Sequence, residues 1–213
     1  MEKGPIIVFD SGVGGLSIYR PLRIALPDEN VVYITDSQYF PYGTKSPKWL
    51  LNRFRTLAKQ FNELAPQAIV LACNSATTNV IVEMRSLVAC PVVGVEPVIK
   101  PLARYSSALA LMTRASATSV TTKELREKYG QHVYVYTPHN LANAIEFNDY
   151  EQVKKSIQAI KKIVQKQQIK AIGLSCTHYS LILPMLKKAL PHVDIVDPSA
   201  AVVRQVQKVL RLS

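Results

Sequence analysis

The chain has 213 residues, enough for one large α/β domain or two small ones, each with its own core. Apolar residues make up 48% and charged residues 19%, which excludes a disordered chain. No apolar run reaches the roughly 18 residues of a membrane span, so no membrane partner is expected. Lys and Arg outnumber Asp and Glu by 26 to 15, a net charge of +11, so a partner chosen by charge is an anion.

Met1-Glu2-Lys3-Gly4 runs straight into a strand-like segment, without the charged and apolar regions of a signal peptide. A cytoplasmic location is expected. Short β-branched runs then alternate with longer amphipathic stretches. Strands are predicted at Ile6–Phe9, Val31–Thr35, Ala68–Ala72, Val92–Val95, Ala108–Met112, Val133–Tyr136, Ala171–Ser175 and Val193–Val196. Helices are predicted near Gly15–Leu26, Pro47–Leu64, Ala76–Val88, Ser116–Tyr129, Tyr150–Gln168, Tyr179–Ala189 and Ser199–Leu210. This alternation implies an α/β fold of parallel sheets covered by helices, with ligands beyond the carboxyl ends of the strands.

One segment repeats weakly. Gln67-Ala-Ile-Val-Leu-Ala-Cys73-Asn74-Ser75 resembles Lys170-Ala-Ile-Gly-Leu-Ser-Cys176-Thr177-His178: an apolar strand, a cysteine, polar residues, then a helix. Two similar lobes with a shared cleft are expected. Residues 1–95 with about 198–213 form the first, and about 96–197 the second. The crossover falls near Val95–Ile99. The Lys-rich stretch Lys154, Lys155, Lys161, Lys162 and Lys166 alternates with Val153, Ile157, Ile160 and Val164 at helical spacing. It therefore reads as the solvated face of an amphipathic helix. No Arg-rich or aromatic recognition motif accompanies the charge, so no specific nucleic-acid partner is expected.

The chemistry-bearing residues sit at strand ends. Asp10-Ser11-Gly12-Val13-Gly14-Gly15 can turn N–H groups and a helix dipole toward a carboxylate or phosphate; equally, it can be a plain turn with Asp10 as a cap. Cys73, at a predicted helix start, is expected to have a lowered pKa, with Asn74 and Ser75 as caps or carboxylate donors. Cys176-Thr177-His178 adds an imidazole able to move protons at the thiol. Cys90 has no such neighbours and is assigned to the core. The three cysteines form no CxxC pair and suggest neither a disulfide framework nor a metal site.

Together these segments resemble the glutamate racemase family, within the aspartate/glutamate racemase superfamily. The matching residues are Phe9 to Ser17, Asp36-Ser37, Pro41-Tyr42-Gly43, Lys45-Ser46, Cys73 to Thr77, Gly94-Val95-Glu96-Pro97 and Cys176 to Tyr179. The resemblance spans nearly the whole chain. It implies racemisation of glutamate by two acid/base thiols, one on each face of the α-carbon, without a cofactor, supplying D-glutamate for peptidoglycan. By resemblance, Cys73 works on the D-enantiomer and Cys176 on the L-enantiomer, assisted by Asp10 and His178 respectively. Glu146 matches a further family acid. Asp10, Ser11, Pro41, Tyr42, Gly43, Cys73, Asn74, Ser75, Cys176, Thr177 and His178 match substrate-binding positions. A homodimer is compatible with this reading. The chain departs from the family at Ser75 (usually Thr), Ser175 (usually Gly) and Ser180 (usually Pro), and it ends 37 residues after Cys176, short of the usual tail. Two alternatives stay open: a racemase of aspartate or another amino acid, and a shortened homologue that binds a ligand without turnover.

Overall fold

The computed structural model describes residues 3–211. Met1 and Glu2 of the N-terminal segment, and the last two residues of the 198–213 stretch, lie outside the described residues. The first sheet follows the order β1 (Ile6–Asp10), α1 (Leu16–Ala25), β2 (Val31–Thr35), α2 (Pro47–Glu63), β3 (Ala68–Leu71), α3 (Asn74–Leu87), β4 (Val92–Gly94). A short helix α4 (Ile99–Leu102) begins the second half, which continues with β5 (Ala108–Met112), α5 (Arg114–Ala117), α6 (Val120–Tyr129), β6 (Tyr134–Tyr136), α7 (Leu141–Glu146) and α8 (Tyr150–Lys166). It ends with β7 (Ala171–Ser175), α9 (Thr177–Leu181), α10 (Leu183–Ala189), β8 (Asp194–Val196) and α11 (Ser199–Arg211).

The two sheets are parallel throughout and share one topology. The strand orders are β2-β1-β3-β4 and β6-β5-β7-β8. The central strands β1, β3, β5 and β7 are buried on both faces, as helices on either side require, and their side chains sort by period two. Ile7 and Phe9 of β1 face α2 and α3, where Phe54 meets Phe9 edge-on at 5.3 Å between ring centroids. Ile6 and Val8 face the other way, onto Ile18 and Leu22 of α1 and Val202 and Val206 of α11. The last helix thus returns to the first sheet. In the second sheet, Leu109, Leu111, Ile172 and Leu174 pack under α7 to α10, while Ala108, Ala110 and Met112 pack against α4.

All eight predicted strands form, with ends shifted by at most a residue. Two helical expectations change, and two short helices are added. Ser116–Tyr129 divides into α5 and α6, because Ser119 accepts the Thr122 N–H at 3.1 Å and starts a new helix. Tyr179–Ala189 starts earlier, at Thr177, and breaks at Ile182, where Pro184 has no N–H to continue the ladder. Helices α4 and α7 were not anticipated; both are too short to show periodicity. The lysine stretch is α8, with Val153, Ile157, Ile160 and Val164 buried and the five lysines exposed. Cys90 does not reach the core; it is half-buried at the margin, partly packed against the α2–α3 face.

Candidate active site

The shared topology puts the two halves of the site in place. Cys73 follows β3 after one residue and Cys176 directly follows β7, each the third strand of its sheet and each the residue before a helix. Both are buried, 6% exposed, and both line one cavity of about 350 Å³. Ser11, Asn74, Ser75, Thr177 and His178 line it too, as does the Pro41-Tyr42-Gly43 turn. Asp10 and Glu146 are not among the residues that line this cavity; each is bonded to residues that are.

Asp10 is fully buried, and burial raises its pKa despite the nearby His178 charge and the bonds it accepts. It takes the Gly12 N–H at 3.1 Å and the Thr177 hydroxyl, from the opposite lobe, at 2.9 Å. Its link to Cys73 runs through Ser11, whose Oγ lies 3.5 Å from the carboxylate and 3.8 Å from the sulfur. Cys73 itself departs from expectation. Burial, with the Asp10 charge beside it, pushes the thiol well above its ordinary value, outweighing the Ala76 N–H at the start of α3. A helix terminus lowers a thiol pKa only where the thiolate is not desolvated, and this one is. Asn74 and Ser75 also fail to act as caps: no side chain caps α3. Asn74 Nδ2 donates to the Val95 carbonyl at 2.8 Å, and Ser75 Oγ pairs with Thr113 Oγ1 across the cleft at 2.8 Å.

At Cys176 the charge balance is opposite. Burial disfavours a charged His178, but hydrogen bonds to Cys176 and Glu146 overcome it and raise the imidazole to about 10. Glu146 Oε2 lies 2.7 Å from His178 Nε2 and also accepts the Val13 N–H at 2.9 Å. Burial would raise Glu146, but these two bonds hold it below the usual carboxylate value. The pair is an imidazolium and a carboxylate. Phe40 covers it, its ring centroid 5.2 Å from that of His178.

The glycine loop makes these approaches feasible. A Cβ on Gly12 would overlap the Glu146 carboxylate, and one on Gly14 would overlap His178 and Thr177. The Pro41–Gly43 turn is held by Asp36, which accepts the Tyr42 hydroxyl and a bidentate Arg53 guanidinium at 2.8 and 2.6 Å. The Tyr42 phenol is thus bonded to Asp36, and the turn lines the cavity. Sequence reasoning missed several lining residues of the second lobe, among them Thr113, Arg114, His139 and Asn143. The first two were detectable: they follow the apolar run Ala108–Met112, at a strand end, with Thr113 spaced to cap at Ser116.

Known proteins match this arrangement. The family described as Asp/Glu/Hydantoin racemase matches residues 15–206. A glutamate racemase of Stutzerimonas stutzeri is 35% identical over 215 residues, covering 97% of this chain and 81% of that protein. One of Pseudomonas entomophila is 36% identical over 218 residues, covering 98% and 82%. The structure of Escherichia coli glutamate racemase, in complex with L-glutamate and the activator UDP-MurNAc-ala, superposes with a TM-score of 0.85 and 30% identity, covering 99% of this chain and 83% of that one. The Francisella tularensis enzyme in complex with D-glutamate gives 0.87 and 26%, covering 100% and 82%. On its sequence, its two matched sheets and its relatives, the chain belongs to the Asp/Glu/Hydantoin racemase family and, within it, to the glutamate racemases, which are isomerases.

Proposed function

We propose that the chain interconverts L- and D-glutamate by a two-thiol acid/base mechanism without a cofactor, in the cytoplasm, supplying D-glutamate for peptidoglycan. One observation carries the mechanism: two cysteines from matching strand ends of two lobes line one cavity. Racemisation needs a proton removed from one face of the α-carbon and another delivered to the opposite face. For L-glutamate, the Cys176 thiolate takes the α-proton beside the His178 imidazolium. The electron pair passes into the α-carboxylate, where hydrogen-bond donors stabilise it. The Cys73 S–H then gives its proton to the opposite face, leaving Cys176 as the thiol and Cys73 as the thiolate. D-glutamate runs the same steps in reverse. In the free protein, burial keeps the proton on Cys73 and His178 supplies positive charge at Cys176.

The test is incubation with L-glutamate in heavy water, following optical rotation and α-deuterium. Cys73→Ser and Cys176→Ser should each lose racemisation by about 10²–10⁴-fold, with unfolding midpoints near that of the unsubstituted protein, while Cys90→Ser stays close to full activity. Near-normal turnover in either active-site variant would overturn the mechanism. The same assay with both aspartate enantiomers tests the substrate. A missing methylene is worth only about 1–3 kcal/mol in a pocket, so aspartate is turned over less well but measurably. Equal or better use of aspartate would overturn the assignment to glutamate.

A further inference from the structure

We propose that Phe40 is a positioning residue for the acid/base group at Cys176: its ring reaches from the first lobe onto His178, lays its π-system against the imidazolium and keeps water off the His178–Glu146 pair. The contact is built from both lobes. Phe40 lies between the single turn Ser37–Tyr39 and Pro41, whereas His178 lies on α9. The ring centroids are 5.2 Å apart, inside the roughly 6 Å over which an aromatic ring attracts a cation. The ring planes are inclined by 37°, closer to stacked than to edge-on. Behind Phe40 stands Phe147, the residue after α7, edge-on at 6.1 Å and 80°. Two consecutive residues of the second lobe thus close on the two rings: Glu146 pairs with the imidazole and Phe147 backs the phenyl. Phe147 is itself 72% exposed, so little of its area is buried elsewhere.

The neighbours of Phe40 hold its segment to the first lobe. The Tyr39 ring packs on Trp49 at 5.5 Å and under the Arg53 guanidinium at 4.5 Å, and the Tyr42 hydroxyl bonds to Asp36. Phe40 between them turns to the second lobe. The imidazole it meets is only 3% exposed, and a charge so buried is costly unless it is compensated. The titratable groups that act on it are Cys176, Glu146 and Asp10, from α9, α7 and β1. Gly14 closes the Nδ1 side, where a Cβ would come within 2.4 Å. Phe40 and His178 both line the cavity, so the phenyl is the apolar wall between the ion pair and the cavity space. Water admitted there would compete for the 2.7 Å bond to Glu146.

The role in turnover rests on the two-thiol reading of the cavity; the ring contact does not, and the test separates them. Protein labelled at histidine is titrated by NMR without substrate, with His178 assigned against His178→Asn. Phe40→Leu, Phe40→Tyr, Phe147→Ala and pentafluorophenylalanine installed at position 40 are compared. The fluorinated ring keeps the shape of the phenyl but reverses its charge distribution, so folding is not at issue. It and Phe40→Leu should each lower the His178 midpoint, near 10 in the unsubstituted protein, by about 0.5–1 pH unit. Phe40→Tyr should keep the midpoint, and Phe147→Ala, at an exposed position, should lower it less. The alkaline limb of kcat/KM for glutamate should move in the same order. A ring that only filled space would not distinguish the fluorinated form from the native one. An unmoved midpoint with the fluorinated ring, or a fall in Phe40→Tyr as large as in Phe40→Leu, would overturn the role of Phe40. Absence of glutamate turnover in the unsubstituted protein would remove the two-thiol reading, and the NMR titration would still decide the ring contact.

Discussion

At the residue scale, the two thiols sit in opposite electrostatic surroundings although their sequence contexts look alike. Cys73 has a buried acid behind Ser11, whereas Cys176 has a charged imidazole held by Glu146. Glu146 does not line the cavity but is bonded to His178, which does. Its substitution has a signed pH consequence. The raised pKa of His178 adds stability that is full below about 6.5, the ordinary imidazole value, and is lost as pH rises through about 10. The lowered pKa of Glu146 adds stability that is present above 4.5 and lost as pH falls through its depressed value. Both contributions are complete between pH 4.5 and 6.5. Glu146→Gln should therefore lower the melting temperature most in that window, with the difference shrinking toward pH 10. Deprived of its partner, His178 loses its proton at lower pH. The alkaline limb of kcat/KM for L-glutamate should then move down. Coincident limbs in the two proteins would show that Glu146 does not tune His178. The residue types at these positions were legible in the sequence. The direction of the Cys73 shift was not, because it depends on how completely water is excluded.

At the element scale, the glycine loop after β1 is a spacer between lobes rather than a helix cap. Asp10 Oδ1 takes the Gly12 N–H, and the Val13 N–H that opens the following turn is taken by Glu146 from the other lobe, not by a local capping side chain. What the loop contributes is room: Gly12 and Gly14 let Glu146, His178 and Thr177 approach from the second lobe. Gly14→Ala should force the His178 imidazole aside and reduce racemisation by roughly tenfold or more, while costing about 1–3 kcal/mol in stability, the usual range for overpacking. Calorimetry and turnover together check this. Activity near that of the unsubstituted protein would mean that the imidazole position is not set by this loop. The loop is readable from its three glycines, but its partners are about 130 to 165 positions away and no local pattern announces them.

At the scale of the whole molecule, two similar sheets meet at one cleft, and hydrogen bonds cross it at Ser75–Thr113, Asp10–Thr177 and Val13–Glu146. The site therefore belongs to neither half alone. Much of the +11 charge is spread over solvated helix faces such as α8, where the exposed lysines flank a buried Val-Ile stripe. Such a surface attracts polyanions without reading them. Duplex DNA should bind weakly and without sequence preference, with affinity falling steeply on a log–log plot against salt. Tight binding that survives near 0.15 M salt would reveal a recognition surface that this distribution of lysines does not explain.

The sequence by itself determined the eight strands, their alternation with helices, the repeat that pairs Cys73 with Cys176, and the order of motifs shared with the family. These are local quantities: β-branched runs, period-two burial, glycine turns and residue types at strand ends. The tertiary structure alone decided which helix covers which sheet face and that Asp10 and Glu146 do not line the cavity. It also decided that Asn74 and Ser75 bond away from their own helix and that Arg114 joins the lining. Each of these depends on contacts between segments far apart in the chain. Their energies follow burial and distance, which the order of residues does not encode locally.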